Sequence, residues 1–151
     1  MLNKWFGRAF GLIIGVVITV IGVARVAADA PDGQYEITGG TVYDTKSKLT
    51  WEQSPSTSTR TWDSAKMYCQ NLALGGSGWR LPSAKELMSI VDETRDGPAI
   101  DSIAFPGTMP TWYWTSSPNK SKTPDIWNVD FSTGYMYSTD PTYGNLVRCV
   151  R

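Results

Sequence analysis

Two cysteines, Cys69 and Cys149, constrain this chain most, because they stand far apart in a sequence that opens like an export signal. One falls on a predicted helix and the other on the last predicted strand. A bridge between them would close a loop of about 80 residues and staple nearly the whole downstream region into one unit. Such a bond needs an oxidising compartment, and the first residues provide the route to one.

Lys4 and Arg8 give a positive start, Ala9 to Val23 is an almost unbroken apolar and glycine run, and Val26-Ala27-Ala28 offers the small-residue pattern that signal peptidase requires. Cleavage is expected after Ala28. Ala28-Asp29-Ala30 fits the pattern too, but Pro31 would follow that cut, and its locked ring disfavours an extended chain in a protease site. An uncleaved anchor is the alternative, yet the apolar run falls short of the roughly 18 to 20 residues of a spanning helix. The expected organisation is a signal peptide over 1–28, a lead-in over 29–40 and one domain over 41–151. Membrane contact is then confined to export, or to an uncleaved signal.

Loss of Lys4, Arg8 and Arg25 leaves 11 bases against all 14 acids, so the exported chain is mildly acidic. That balance argues against nucleic acid as a partner. The sequence contains no histidine, which removes Ser-His-Asp and Cys-His catalysis as well as histidine-ligated zinc. Seven tryptophans, six of them beyond the signal, favour a compact aromatic core or a stacking surface.

Thr41-Val42-Tyr43 and Leu49-Thr50-Trp51 are short β-type runs separated by polar residues, a hairpin pattern. Ser54 to Thr59 is expected as a polar loop. Trp62, Ala65, Cys69 and Leu72 then recur at spacings of three and four, so a helix follows, with Thr61 placed to cap it and Asp63 near its positive end. Ser83 and Glu86 form an S-x-x-E capping box ahead of Leu87, Ile90 and Val91, which predicts a second helix. Glu93 to Met109 reads as an ordered loop in which only Ile100 to Phe105 can pack. Three antiparallel strands are expected at 112–115, 126–131 and 135–137, the last two joined by Ser132-Thr133-Gly134, and a final strand at 145–151. Trp127, Val129 and Phe131 share one face of their strand, which puts Asn128 and Asp130 on the outer, solvated one.

From Val42 onward the residues VYDTKSKLTWEQ, TWDSAKMYCQNLALGGSGWRLPSAKELMSIVD, PAIDSIAFPGT, YWTSSP, WNVDFSTG and NLVRCVR follow in order. In these segments the chain resembles the Lcl C-terminal domain family, named for the tail of a Legionella collagen-like adhesin and long labelled a domain of unknown function. The resemblance implies an extracytoplasmic module of α+β class with a C-type-lectin-like fold: two helices packed on small antiparallel sheets. It also implies that Cys69 on the first helix is bonded to Cys149 on the last strand, with two unpaired buried thiols as the alternative.

Sugar-binding C-type lectins hold calcium with a Glu-Pro-Asn or Gln-Pro-Asp loop and a Trp-Asn-Asp strand. The nearest counterparts are Ser117-Pro118-Asn119, Thr123-Pro124-Asp125 and Trp127-Asn128-Val129-Asp130; neither proline follows a Glu or Gln, and Val129 is inserted in the strand motif. Calcium also needs six to eight oxygens, and Asp92, Glu93, Asp96 and Asp101 flank a Gly-Pro loop where acids are commonly just solvated. No cofactor is therefore expected, calcium being possible without a recognisable motif. Polyanion binding, the ligand class of the named adhesin, finds Lys120 and Lys122 in a Ser/Pro/Asn loop but no longer basic run. Tyr135, Tyr137 and Tyr143 are candidates for a stacking surface.

An enzyme is the competing class, because formylglycine-generating enzymes have a similar broad fold and depend on a pair of reactive cysteines. Here both cysteines serve better as the staple. The expectation is a non-catalytic binding or adhesion module of the periplasm or cell surface. It would recognise a glycan or an envelope or surface protein through loops 93–111, 116–124 and 138–145, with Asn119, Lys120, Lys122, Asp125, Asn128, Asp130, Tyr135, Tyr137 and Tyr143 as candidate contacts. A structural envelope component without a soluble ligand is the runner-up.

Overall fold

The computed structural model describes residues 33–151. The expected signal peptide and its cleavage site lie outside the described residues. Among those described, no helix is long and apolar enough to cross a membrane.

The domain is α+β, and its described residues form eight strands in two sheets and two helices. Strands β1 (Tyr35–Thr38), β2 (Thr41–Asp44) and β3 (Leu49–Glu52) form an antiparallel meander in sequence order. The β2–β3 pair is the expected hairpin, with Thr41 opposite Glu52 and Asp44 opposite Leu49. The Asp44 carboxylate accepts from the Lys46 amide at 2.9 Å and is also bonded by the Ser47 hydroxyl, so the polar turn holds itself in shape. Strand β1 stands where the sequence predicts a loose lead-in. It pairs with β2 alone, and three of its four residues are exposed, so no buried face marks it in the sequence.

Strand β4 (Ser56–Arg60) also replaces an expected loop. Its composition has little strand preference, and what makes it a strand is the partner β8 (Asn145–Val147), with Ser56 opposite Val147 and Arg60 opposite Asn145. The second sheet runs β4, β8, β5 (Trp112–Pro118), β6 (Ile126–Asp130), β7 (Tyr135–Thr139). All its pairings are antiparallel except β5 with β8. Gly134, at φ 78°, makes the β6–β7 turn in a conformation that L residues avoid.

Helix α1 (Trp62–Gln70) buries Ala65 and Cys69, as the spacing predicts. Thr61 stands at its N-cap in extended geometry but makes no side-chain cap bond. The first free amide of the helix, that of Trp62, instead donates at 3.0 Å to the carbonyl of Pro141, a residue far along the chain. Helix α2 (Ala84–Met88) has the full capping box: Ser83 accepts from the Glu86 amide at 3.2 Å, and the Glu86 carboxylate accepts from the Ser83 amide at 2.7 Å. It is shorter than its apolar stripe, which continues through tighter turns that carry Ile90 into the core. Of the long loop, Ile100, Ala104 and Phe105 are buried, so it is ordered by packing.

Two cores result. One gathers Val42 and Trp51 from the meander, Leu87 and Ile90 around α2, Phe105 from the loop, and Tyr113, Val129 and Phe131 from the second sheet. The other lies on the opposite face of that sheet, where Trp114, Ile126 and Val147 meet Ala65, Cys69, Trp79 and Cys149. Within it Cys69 and Cys149 form the disulfide, their Cα atoms 5.5 Å apart, which joins α1 to the last segment of the chain.

The C-terminal residues knit the sheets together. Thr50 and Arg151 exchange backbone bonds at 2.9 Å, as do Arg80 and Val150, and the Glu52 amide donates to the Cys149 carbonyl at 3.0 Å. Arg148 is fully buried at this seam. Its guanidinium donates at 2.6 Å to the carbonyls of Glu52 and Gln53 and to the Thr108 hydroxyl, and lies 4.8 Å from the centre of the Phe105 ring. Burial pulls its pKa down to about 10. The Glu52 side chain accepts from the Cys149 amide at 3.0 Å and from the Tyr68 hydroxyl, and burial pushes both the Glu52 carboxyl and the Tyr68 phenol up.

Candidate functional site

The connection from β7 to β8 has to leave one edge of the sheet and return beyond β5, so it crosses the face that carries Trp112, Asn128 and Tyr137. Two contacts place it there. Pro141 receives the Trp62 amide, and the Asn145 side chain reaches across to the Thr139 hydroxyl at 3.4 Å. Between this strap, the β5–β6 loop and the start of β5 lies a groove of about 600 Å³.

Trp112 and Thr111 form one wall, and Tyr143 and Gly144 of the strap form another. Lys122, Asp125 and Asp140 supply the charges. Thr139 and Asn145 lie among the lining residues, with Ser138, Leu146 and Thr59 completing it. Trp112 is 38 % exposed and Tyr143 64 % exposed, large rings left to solvent at the rim. Tyr137 stacks behind Trp112 with ring centroids 5.8 Å apart and planes at 23°.

The charges are internally matched. Lys122 Nζ lies 2.8 Å from the Asp125 carboxylate, and that hydrogen bond raises the lysine's pKa. Asp125 is buried and also accepts from Ser138 Oγ at 3.2 Å, while Asn119 Nδ2 donates to the same hydroxyl at 2.9 Å. Asp140 accepts from the Thr142 hydroxyl at 2.6 Å and the Thr142 amide at 2.9 Å, bonds that hold its pKa below the ordinary carboxylate value. The Thr139 hydroxyl accepts from Asn128 Nδ2 at 3.1 Å and from Asn145 Nδ2. The other amide atom of Asn128, Oδ1, is buried without a hydrogen-bond partner among the described residues.

The structure brings together part of the candidate set. Lys122, Asp125 and Tyr143 line the groove; Asn119, Asn128 and Tyr137 support it from behind. Asn128 and Asp130 are not solvated as strand alternation implies: Asn128 is 0 % and Asp130 8 % exposed. Both are flanked by rings in the sheet register, Asn128 by Trp114 and Tyr137 and Asp130 by Trp112 and Tyr135, and these take the place of solvent. Asp130 turns to the Ser132 hydroxyl and amide at 2.7 and 2.8 Å, away from the groove. Lys120 is exposed outside it, and Tyr135 belongs to a separate depression with Glu93 and Asp96. Thr139, Asp140 and Asn145 join the site from the expected 138–145 loop, though not singled out as contacts, whereas Trp112 has no place in the sequence reading of the site.

Two of the four carboxylates considered for calcium are engaged locally. Asp92 bonds Thr94 and Arg95, and Asp101 accepts from the Ile103 and Ala104 amides at 2.8 and 3.1 Å. No group of three or more metal-ligating side chains occurs among the described residues. Both cysteines are used in the bridge.

The Lcl C-terminal domain model matches residues 40–151. The chain belongs to that family. The match spans both helices, the whole second sheet and every residue that lines the groove, so the site is part of this Lcl C-terminal domain and not an appendage to it. No curated protein matches the chain.

Proposed function

We propose that this Lcl C-terminal domain is an exported, non-catalytic recognition module that binds a glycan or a surface protein in the groove under the β7–β8 strap. The observation that carries the proposal is the pair of large rings, Trp112 and Tyr143, left exposed on two walls of one concavity. Exposed aromatic side chains bury large area at low conformational cost when a ligand covers them. The framework beneath them is stiff, because the disulfide and the C-terminal seam tie helix, sheet and meander together. Consumption of both sulfurs leaves no thiol for formylglycine-type oxidase chemistry, and this supports binding over catalysis.

Two of the three loops expected to form the contact surface meet at the groove, those at 116–124 and 138–145; the loop at 93–111 reaches it only through Thr111. The test compares the parent protein with a Trp112→Ala/Tyr143→Ala double variant on a glycan array and in pull-downs from envelope fractions. Loss of captured partners in the variant, with an unchanged melting temperature, is the expected result. Equal capture by both proteins would remove the groove as the contact surface.

A further inference from the structure

The geometry points to an uncharged saccharide as the ligand of this groove, with one sugar ring seated against Trp112; the inference rests on the recognition role proposed above. Three independent features select that chemistry.

The first is the aromatic wall. Trp112 lines the groove with part of its ring exposed and is steadied by its stack on Tyr137 at 5.8 Å, and the exposed Tyr143 lines the same groove. The axial C–H face of a pyranose matches a flat, electron-rich ring better than a charged or strongly hydrated group does.

The second is charge. Among the described residues the one cation lining the groove, Lys122, is already held by Asp125 at 2.8 Å, and Asp140 adds an anion. A sulfated or carboxylated polymer would meet net negative potential from this lining, so complementarity disfavours it. The Lys122–Asp125 pair instead presents a donor and an acceptor side by side, a pattern suited to neighbouring hydroxyls, each of which donates and accepts.

The third is the polar floor. Thr139 Oγ1 accepts two amide bonds, from Asn128 and Asn145, so its own proton is directed elsewhere. Asn128 Oδ1 is buried beside it with no donor among the described residues. Thr139 lines the groove, so its hydroxyl proton can be donated to a ligand hydroxyl or to retained water.

The probes are hexaoses of glucose, mannose, galactose and N-acetylglucosamine, with heparin and a lysine-rich peptide as competitors of other chemistry. Each is titrated into the disulfide-bonded exported protein while tryptophan fluorescence and backbone amide shifts are followed. The expected result is saturable binding of at least one neutral hexaose at about millimolar Kd, with shifts at Trp112, Thr139 and Asn145. Affinity should change less than about twofold between roughly 50 and 500 mM salt. Trp112→Ala should weaken binding roughly tenfold and Trp112→Phe less. Tyr143→Ala, a change at an exposed strap residue, gives a second measure that does not depend on the sheet.

Binding of heparin alone, with steep salt dependence, overturns the inference in favour of a polyanion. Binding of the peptide alone overturns it in favour of a protein partner. No shift with any hexaose, or shifts that survive both substitutions, overturns it as well. In the heparin or peptide case, loss of binding in the Trp112→Ala/Tyr143→Ala double variant would leave the recognition role standing while the assignment to an uncharged saccharide falls.

Discussion

Trp112 and Tyr137 sit on strands β5 and β7 yet stack at 5.8 Å, spanning the strand between them. Their backbones are two strand spacings apart, roughly 9 to 10 Å, so both rings must lean inward over β6. Tyr137 also stands directly opposite the buried Asn128, so one ring flanks that amide and steadies the groove-lining Trp112. Removing the Tyr137 ring should free Trp112 and admit water to Asn128. Tyr137→Ala is expected to red-shift tryptophan emission and speed amide exchange at Asn128, whereas Tyr137→Phe, which keeps the ring, should do neither. Unchanged exchange in Tyr137→Ala would show that the ring shields nothing.

The Cys69–Cys149 bridge joins residues 80 positions apart. Chain-entropy arguments give such a loop about 4 to 5 kcal/mol of stabilisation, less whatever strain the native bond carries. A Cys69→Ala/Cys149→Ala variant should therefore denature at markedly lower urea concentration. Alkylation of the native protein without reductant should add no label by intact mass; two adducts would disprove the bond.

Arg148 serves three acceptors from a fully buried position. Arg148→Met removes the buried charge but takes the donor from the carbonyls of Glu52 and Gln53 and from the Thr108 oxygen, which keeps only its own bond to the Phe105 carbonyl. Each unmet buried acceptor costs about 1 kcal/mol or more, for a total of roughly 3 kcal/mol. Arg148→Lys should not restore it, because a single ammonium cannot reproduce the fork. Thr108→Val, which removes one partner, should cost about 1 kcal/mol. Urea unfolding of the three variants gives the ranking, and an Arg148→Lys variant as stable as the parent would contradict the geometric argument.

Two carboxylates set opposite pH trends. Glu86 is held down to about 2 chiefly by its hydrogen bonds with Arg80, at 2.7 and 2.8 Å. Its contribution is present above the ordinary value of 4.5 and fades as pH falls toward 2. Glu52 is raised by burial, so its contribution has the reverse sign and is lost as pH rises through its elevated pKa. Glu86→Gln should cost about 1 kcal/mol at neutral pH and little near pH 2. Glu52→Gln should flatten the slope above the ordinary carboxylate range. Urea midpoints measured across pH check both signs.

Local chemistry determined much of this protein by itself. The hairpin at 41–52, the capping box at Ser83 and Glu86, the helix through Ala65 and Cys69, and the C-terminal strand all follow from short-range rules: turn residues, cap bonds and apolar spacing. Only the tertiary structure decided the remainder. Strand β4 exists because β8 is beside it, and the amide at the start of α1 is satisfied by Pro141 from a distant loop, not by Thr61. The groove is of the same kind: Trp112, Tyr143 and Asn145 meet only because the β7–β8 connection crosses the sheet face. Alternation along β6 assigns Asn128 to solvent, since period two records which face a side chain takes but not what covers that face. The rings that cover it come from the strands on either side, and their meeting depends on strand order, which no local pattern encodes.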